Sequence, residues 1–384
     1  MRPPPLTLLL CLTALTSTMS IGAFPVLLPD LGRAGGLADW QLGILAGAFG
    51  FARMVADMPI GLFITDRLRR ALAVSPFLLA VGLLLLASDG PWPLLAVARV
   101  LMGLAHALGV VGGLTAILRF QETGRLASAL NAYELAAMLG ILGATVVLGL
   151  LPSSLPWNVA LLVTCTPQVV GLLLVPLLLA ALPSEPRGAK QPLFARSAAS
   201  RAPITPGVVV AFAAGGTIAI AYSTLEQFVI PLRADREFGL SRSGIAGLLM
   251  TVQACDIICL LPTGVLADRH GAARVLGFMM IAFAAGTALI AFADYPGLVV
   301  GCALFGLGMA SWTLPLGVLR GETPAEHVGW RTAVYRVGVD GGMFLGPFVS
   351  GFLTARAPGL LPGALIVALL VIAVVLLRRR GPAA

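Results

Sequence analysis

The chain has 384 residues, 58% of them hydrophobic and only 11% charged, with a formal net charge of +8 and a mean hydropathy of +0.97. So few charges could not cover the surface of a soluble domain of this size, which excludes aqueous globular classes and makes this a multi-span membrane protein. The basic residues lie between apolar runs rather than on a basic face with interleaved aromatics, so the expected partner is the lipid bilayer and not nucleic acid.

The start, Met1-Arg2-Pro3-Pro4-Pro5 followed by an apolar run, resembles a signal peptide. The run continues to Leu28, however, about the ~20 residues that cross a bilayer, so an uncleaved first span is expected. Apolar runs bounded by charges, Pro or Gly then occupy residues 6–29, 41–64, 72–88, 93–118, 126–151, 157–182, 206–231, 243–266, 273–292, 296–320, 329–353 and 359–378. They predict an all-α membrane protein of twelve helices, spans 1 to 12, because a segment in lipid must satisfy its own backbone groups.

With both termini inside, the inner side receives seventeen of the twenty-five Lys and Arg and the outer side five (Arg33, Arg233, Arg236, Arg242, Arg356), while Arg53, Arg99 and Arg336 fall within spans. That asymmetry predicts the orientation. The polar interval Pro183 to Thr205, with Glu185, Arg187, Lys190, Arg196 and Arg201, is the expected cytoplasmic linker (183–205) between six-helix bundles at 1–182 and 206–384. All five cysteines (Cys11, Cys165, Cys255, Cys259, Cys302) fall in apolar runs and are expected as small packing residues.

The two halves repeat. At a shift of 202, Pro29 falls on Pro231, Asp66 on Asp268, Arg67 on Arg269, Tyr133 on Tyr335, Gly140 on Gly342 and Gly149 on Gly351. An even number of helices per half gives the copies the same orientation, related by an axis along the membrane normal.

The interval Gly264 to Arg274, expected as a charged loop between spans 8 and 9, has Gly264, Asp268, Arg269, Gly271 and Arg274 in the pattern Gly-x-x-x-Asp-Arg-x-Gly-x-x-Arg. The earlier copy keeps Asp66 and Arg67, has Leu62 and Arg69 where the glycines would stand, and carries Arg70 beside them. Span 4 reads Arg99-x-x-x-Gly103, and span 11 holds Gly346-Pro347 between Gly342 and Gly351, whereas span 5 has Gly140, Gly143 and Gly149 without a proline. On these features the chain resembles the major facilitator superfamily over its whole length, and within it the drug and metabolite proton antiporters. The resemblance implies a monomeric transporter that moves a small-molecule substrate by alternating access. It implies no cofactor, with a proton gradient as the energy source. It also implies that Arg99 takes part in proton transfer, and that Asp66 and Asp268 each face the positive end of a helix of the other half.

Charges at the centre of a span cost at least ~2.5–3.5 kcal/mol on insertion scales, so they mark pairing or function. Eight fall there: Arg53, Asp57, Arg99, Glu134, Glu226, Asp256, Arg336 and Asp340. Arg53 and Asp57 are four apart, as are Arg336 and Asp340, so each pair shares one helical face. In the family's architecture spans 2 and 11 pack together, which puts Asp57 level with Arg336 and Arg53 level with Asp340. A four-membered gate network is expected, with purely intrahelical pairing as the plainer reading.

Glu134, Glu226 and Asp256 have no span-embedded cation beside them in sequence and are candidates for proton coupling or for holding a cationic substrate. The plainer reading is a lone acid bonded to Ser, Thr or backbone, with Asn131 and Tyr133 at hand for Glu134. Arg99 is a candidate counter-ion or an anchor for an anionic substrate; its plainer role is to bond carbonyls of a first helix bent at Pro25 and Pro29. His106, seven residues on, lies on nearly the same face and is as a rule a packed residue. Tyr222, Gln227 and Trp312 are candidates for the cavity wall.

The expectation is therefore proton-coupled efflux across a bacterial inner membrane. An importer or uniporter of an organic anion is the alternative. A membrane enzyme would need a catalytic constellation, and His106, His270 and His327 with the scattered acids have no metal or nucleophile spacing. A receptor-like relative that moves nothing is the third reading.

Overall fold

The computed structural model describes residues 5–121, 125–183, 204–324 and 327–378, with the backbone alone at 62, 65, 66, 127 and 329. The expected linker lies, from 184 to 203, outside the described residues, as do Arg379 and Arg380. Among the described residues, eleven helices are long and apolar enough to cross a membrane. In chain order these are α1 (Leu6–Gly35), α2 (Asp39–Gly61), α3 (Arg67–Ala87), α4 (Trp92–Phe120), α5 (Ser128–Leu150), α6 (Trp157–Ala181), α7 (Pro206–Arg236), α8 (Arg242–His270), α9 (Ala272–Phe292), α10 (Tyr295–Gly321) and, after α11, α12 (Leu360–Arg378). The predicted span 11 is α11 (Val328–Leu353), 26 residues long. It carries Arg331, Arg336 and Asp340.

Local chemistry sets the ends. Thr205 caps α7 by accepting a hydrogen bond from Val208 N at 3.3 Å, with Pro206 at the first helical position, and Asp294 caps α10 through Gly297 N at 3.1 Å. Gly36, at φ 58, ends α1 in the left-handed conformation that glycine adopts without strain.

The two charged intervals are not loops. Helix α8 runs through Gly264, Asp268 and Arg269 to His270, and the break before α9 is the single residue Gly271, at φ 89. A residue with a Cβ would be strained there, so the glycine concentrates the turn at one position. The earlier copy has Arg69 at that place, and the chain stays helical from Asp39 to Ala87 except at Arg67, with φ −138 and ψ 35. Arg69 instead donates to the carbonyls of Leu179 and Leu182, closing the end of α6.

The chain divides into two compact units: Met1–Leu37, Ala48–Ala195 and Ser241–Ala246 in unit 1, and Ala38–Gly47, Arg196–Leu240 and Gly247–Ala384 in unit 2. The repeat of 202 residues is visible inside each. In unit 1, α5 closes on α1 where Gly140 meets the carbonyl of Leu15, and Thr18 Oγ1 donates to Ala137 O at 2.8 Å. In unit 2, α11 closes on α7 at the equivalent Gly342. A Cβ there would lie 2.9 Å from Ala219 Cβ, and Ser223 Oγ donates to Gly342 O at 3.1 Å. Small residues at these crossings let the backbones approach, as helix packing in membranes requires. The core of unit 1 includes Leu9, Leu10, Ile64, Leu68, Ile117 and Leu178; in unit 2, Phe283 of α9 stacks on Phe305 of α10 at 4.6 Å between ring centroids.

Candidate functional site

Among the described residues, each unit contains a group of charged and aromatic residues within its spans, and the two differ in chemistry. In unit 1 the group surrounds the ring of Phe49 on α2. The Arg99 guanidinium of α4 lies 5.1 Å from the Phe49 centroid and 3.7 Å from that of Phe24 on α1. Arg99 is 2% exposed. A desolvated guanidinium over an aromatic face gains roughly 2 kcal/mol or more. Arg53 reaches the same ring at 5.9 Å, and the His106 ring lies 5.4 Å from it. The spacing Arg99-x-x-x-Gly103 has a structural cause: Gly103 faces the carbonyl of Phe49, and a Cβ there would come within 2.8 Å of Ala52 Cβ. Glycine at that point brings α2 close enough for Phe49 to meet both Arg99, one turn before, and His106, one turn after. Asp57 lies one turn beyond Arg53 and is half-buried.

In unit 2 the group is acidic. Glu226 is 3% exposed and sits in a π-helical turn, Leu225–Val229, within α7. Pro231 follows and has no N–H to offer the carbonyl of Gln227, which loosens the α-helical ladder at this place. The Glu226 carboxylate accepts from Gln253 Nε2 of α8 at 3.2 Å. Asp256, three residues beyond Gln253 and half-buried, is near enough for its charge to act on Glu226. One turn back on α7, Tyr222 accepts from Gln227 Nε2 at 3.1 Å and meets Trp312 edge-on at 5.8 Å. Trp312 lies in the turn that interrupts α10 between Met309 and Leu314.

The structure therefore brings Arg99, His106 and Arg53 together around one ring, Glu226 with Asp256, and Tyr222 with Gln227 and Trp312. Glu134 is on α5 in unit 1 and its side chain is exposed. In unit 2, Arg336 is half-buried and Asp340 is 1% exposed. The side chain of Asp66 lies outside the described residues, and Asp268, Arg269 and Arg274 are exposed. Arg67 lies over Phe63 at 5.7 Å, and Arg70 is exposed.

Sequence reasoning treated Arg242 only as one of the outer charges. In unit 1 its side chain is 3% exposed and its Nη2 lies 2.6 Å from Asp30 Oδ2; Nη2 also donates to Leu155 O at 2.8 Å. The partners are 212 positions apart, so no spacing signal could have joined them. Unit 2 has a more exposed counterpart, Arg236 with Asp39 at 2.6 Å. Arg233 closes the end of α9 by donating to Ile290 O and Ala293 O, each at 2.6 Å.

Two duplicated helical units, with charges set inside apolar spans, define a membrane transporter fold. The sequence profile described as Major Facilitator Superfamily matches residues 6–230 and again 209–384, and the chain belongs to that family. Uncharacterized MFS-type transporters of Yersinia pestis and Yersinia pseudotuberculosis are 27% identical to it over 318 residues, covering 81% of this chain and 78% of theirs. Among solved structures, a D-xylose-proton symporter superposes with a TM-score of 0.77 at 12% identity, covering 97% of this chain and 96% of that one. The nucleoside transporter NupG superposes with a TM-score of 0.74 at 15% identity, covering 97% and 98%. These likenesses establish the fold. The chain is an integral membrane transporter of this family and not an enzyme.

Proposed function

We propose that the chain is a monomeric, proton-coupled exporter of a small, partly apolar compound, working by alternating access in a bacterial inner membrane with both termini in the cytoplasm. Bundles at 1–182 and 206–384, joined by a cytoplasmic linker at 183–205, are the moving parts. The carrying observation is Glu226: a buried carboxylate in a π-helical turn, held by Gln253, with Asp256 close by. Taking up a proton there removes a charge from an apolar interior, which couples protonation to the energetics of the span. Glu134 is the further acid of this reading. In vesicles reconstituted with the purified chain, a pH gradient is expected to drive flux, and Glu226→Gln to reduce that driven flux by at least about tenfold. Unchanged driven flux in the variant would remove Glu226 from the coupling.

The gate of this reading is the pairing of Asp57 with Arg336 and of Arg53 with Asp340. In this reading Asp66 and Asp268 each face the positive end of a helix of the other half. Either single replacement, Asp57→Arg or Arg336→Asp, is expected to abolish flux and the double exchange to restore it. A folded, inserted and inactive double variant would argue against the pairing.

A second reading, import or uniport of an organic anion, is favoured by the Arg99 guanidinium between Phe24 and Phe49. Flux that ignores the pH gradient but depends on Arg99 would select it.

A further inference from the structure

Helix α3 of unit 1 has two sides of unlike character. One side is packed on α4: Ser75 Oγ donates to Ala105 O at 2.8 Å, a Cβ at Gly82 would lie 2.7 Å from Met102 Cγ, and one at Gly112 would lie 3.0 Å from Leu72 Cδ2. The other side carries Arg67, Arg70, Val74, Phe77 and Val81, all of them exposed. Steps of three and four residues set these in one stripe along the helix. The transport cycle above does not use it.

Charge occupies one end of the stripe and apolar side chains the rest. Helix α3 has 21 residues, enough to cross the ~30 Å hydrocarbon layer, so its first turn lies at the depth of the lipid headgroups. From Arg70 to Val81 the helix rises about 16 Å, close to the hydrocarbon thickness of a single leaflet. Residues 65–70 carry three arginines against one acid, Asp66. Arg69 is turned to the carbonyls of Leu179 and Leu182, whereas Arg67 lies over the exposed ring of Phe63 at 5.7 Å. Like charges one turn apart on a helix repel, and an anion beside them relieves the repulsion. Guanidinium groups match phosphate oxygens two at a time.

The arrangement is peculiar to unit 1. At the shift of 202, Arg67 falls on Arg269, but Arg70 falls on Ala272 and Val74 on Leu276, which is fully buried. Unit 2 therefore keeps neither the second charge nor the open apolar row. A free phosphate would meet the two arginines and leave that row unused. An anionic headgroup joined to a hydrocarbon chain matches both parts, the charge at the surface and the row at hydrocarbon depth.

We propose that Arg67 and Arg70 hold the headgroup of one anionic phospholipid, whose acyl chain lies along Val74, Phe77 and Val81. The site is independent of the proton-coupled reading, and its test does not use flux. The full-length chain in neutral detergent is titrated with dioleoyl phosphatidylglycerol or dioleoyl phosphatidylcholine, and bound lipids are counted by native mass spectrometry. The first phosphatidylglycerol is expected to bind about tenfold more tightly than the first phosphatidylcholine, since each arginine at the surface favours an anionic headgroup. Arg67→Gln combined with Arg70→Gln is expected to bring that ratio close to one. Arg119→Gln combined with Arg125→Gln, an equal loss of charge at the end of α4 and before α5, is expected to preserve it. Inorganic phosphate at millimolar concentration is expected to leave the lipid in place. The comparison of the two lipids on the unmodified chain needs no variant to fold. Equal affinities there, the result of ordinary solvation by lipid, would overturn the proposal, as would displacement by inorganic phosphate alone. An undiminished ratio in the Arg67 and Arg70 variant, or an equal loss in the Arg119 and Arg125 variant, would overturn it too.

Discussion

Residues 24 and 226 occupy the same place in the two copies of the repeat, yet one is Phe24, beneath the Arg99 guanidinium, and the other is Glu226, bonded to Gln253. The frame around them is the same. Gly140 closes α5 on α1 as Gly342 closes α11 on α7, and Pro29 and Pro231 follow at equal distance. What differs is the side chain that fills the frame, and with it the local helix: α1 remains α-helical at this place while α7 takes a π-helical turn. Duplication preserved the packing and left the chemistry free to diverge, one unit becoming cationic and aromatic, the other acidic.

The sharpest way to break the comparison is at its cationic end. Arg99→Ala is expected to lower flux by about tenfold or more, since the desolvated guanidinium loses both ring faces, and Arg99→Lys to recover part of it, because an ammonium keeps the charge but not the plane. Equal flux in the lysine variant and the native chain would show that charge alone matters. The shared frame comes next. Gly140→Ala and Gly342→Ala each place a methyl against the facing helix and are expected to destabilise their unit by roughly 1–3 kcal/mol, read as lowered thermal midpoints of similar size. A cost confined to one glycine would mean that the two crossings are not equivalent. The smallest effect is at the helix break: Gly271→Ala forces a Cβ into a left-handed conformation and is expected to cost about 1 kcal/mol. The same measurement on Arg69→Gly should show a loss as well, through the freed carbonyls of Leu179 and Leu182 rather than through the backbone.

Much of this was legible in the sequence because a bilayer makes span length and apolarity close to obligatory. Among the described residues the twelve runs became twelve helices, and the ends marked by Thr205-Pro206 and Asp294 fell where cap chemistry puts them. The grouping of Arg99 with His106 followed from a seven-residue spacing. The interruptions were less legible. Polarity suggested loops at Thr65 to Arg70 and at Gly264 to Arg274, whereas charges are tolerated in a helix whose end lies in water, so the helices continue. The π-helical turn at Glu226 and the break at Trp312 arise from prolines acting with tertiary packing, and sequence spacing holds only the first of these. The cluster of Arg242 with Asp30 joins residues that no local pattern relates.

That last cluster bears on how the protein responds to ionic strength. Dissolved ions screen charges that water reaches, over a Debye length of about 8 Å at physiological salt. The Arg236 side chain is 43% exposed and lies open to such screening, but the Arg242 side chain is 3% exposed and Asp30 18%. Brine strong enough to loosen the Arg236–Asp39 pair would leave the Arg242–Asp30 pair in place, so the two ties answer differently to the salinity of the medium.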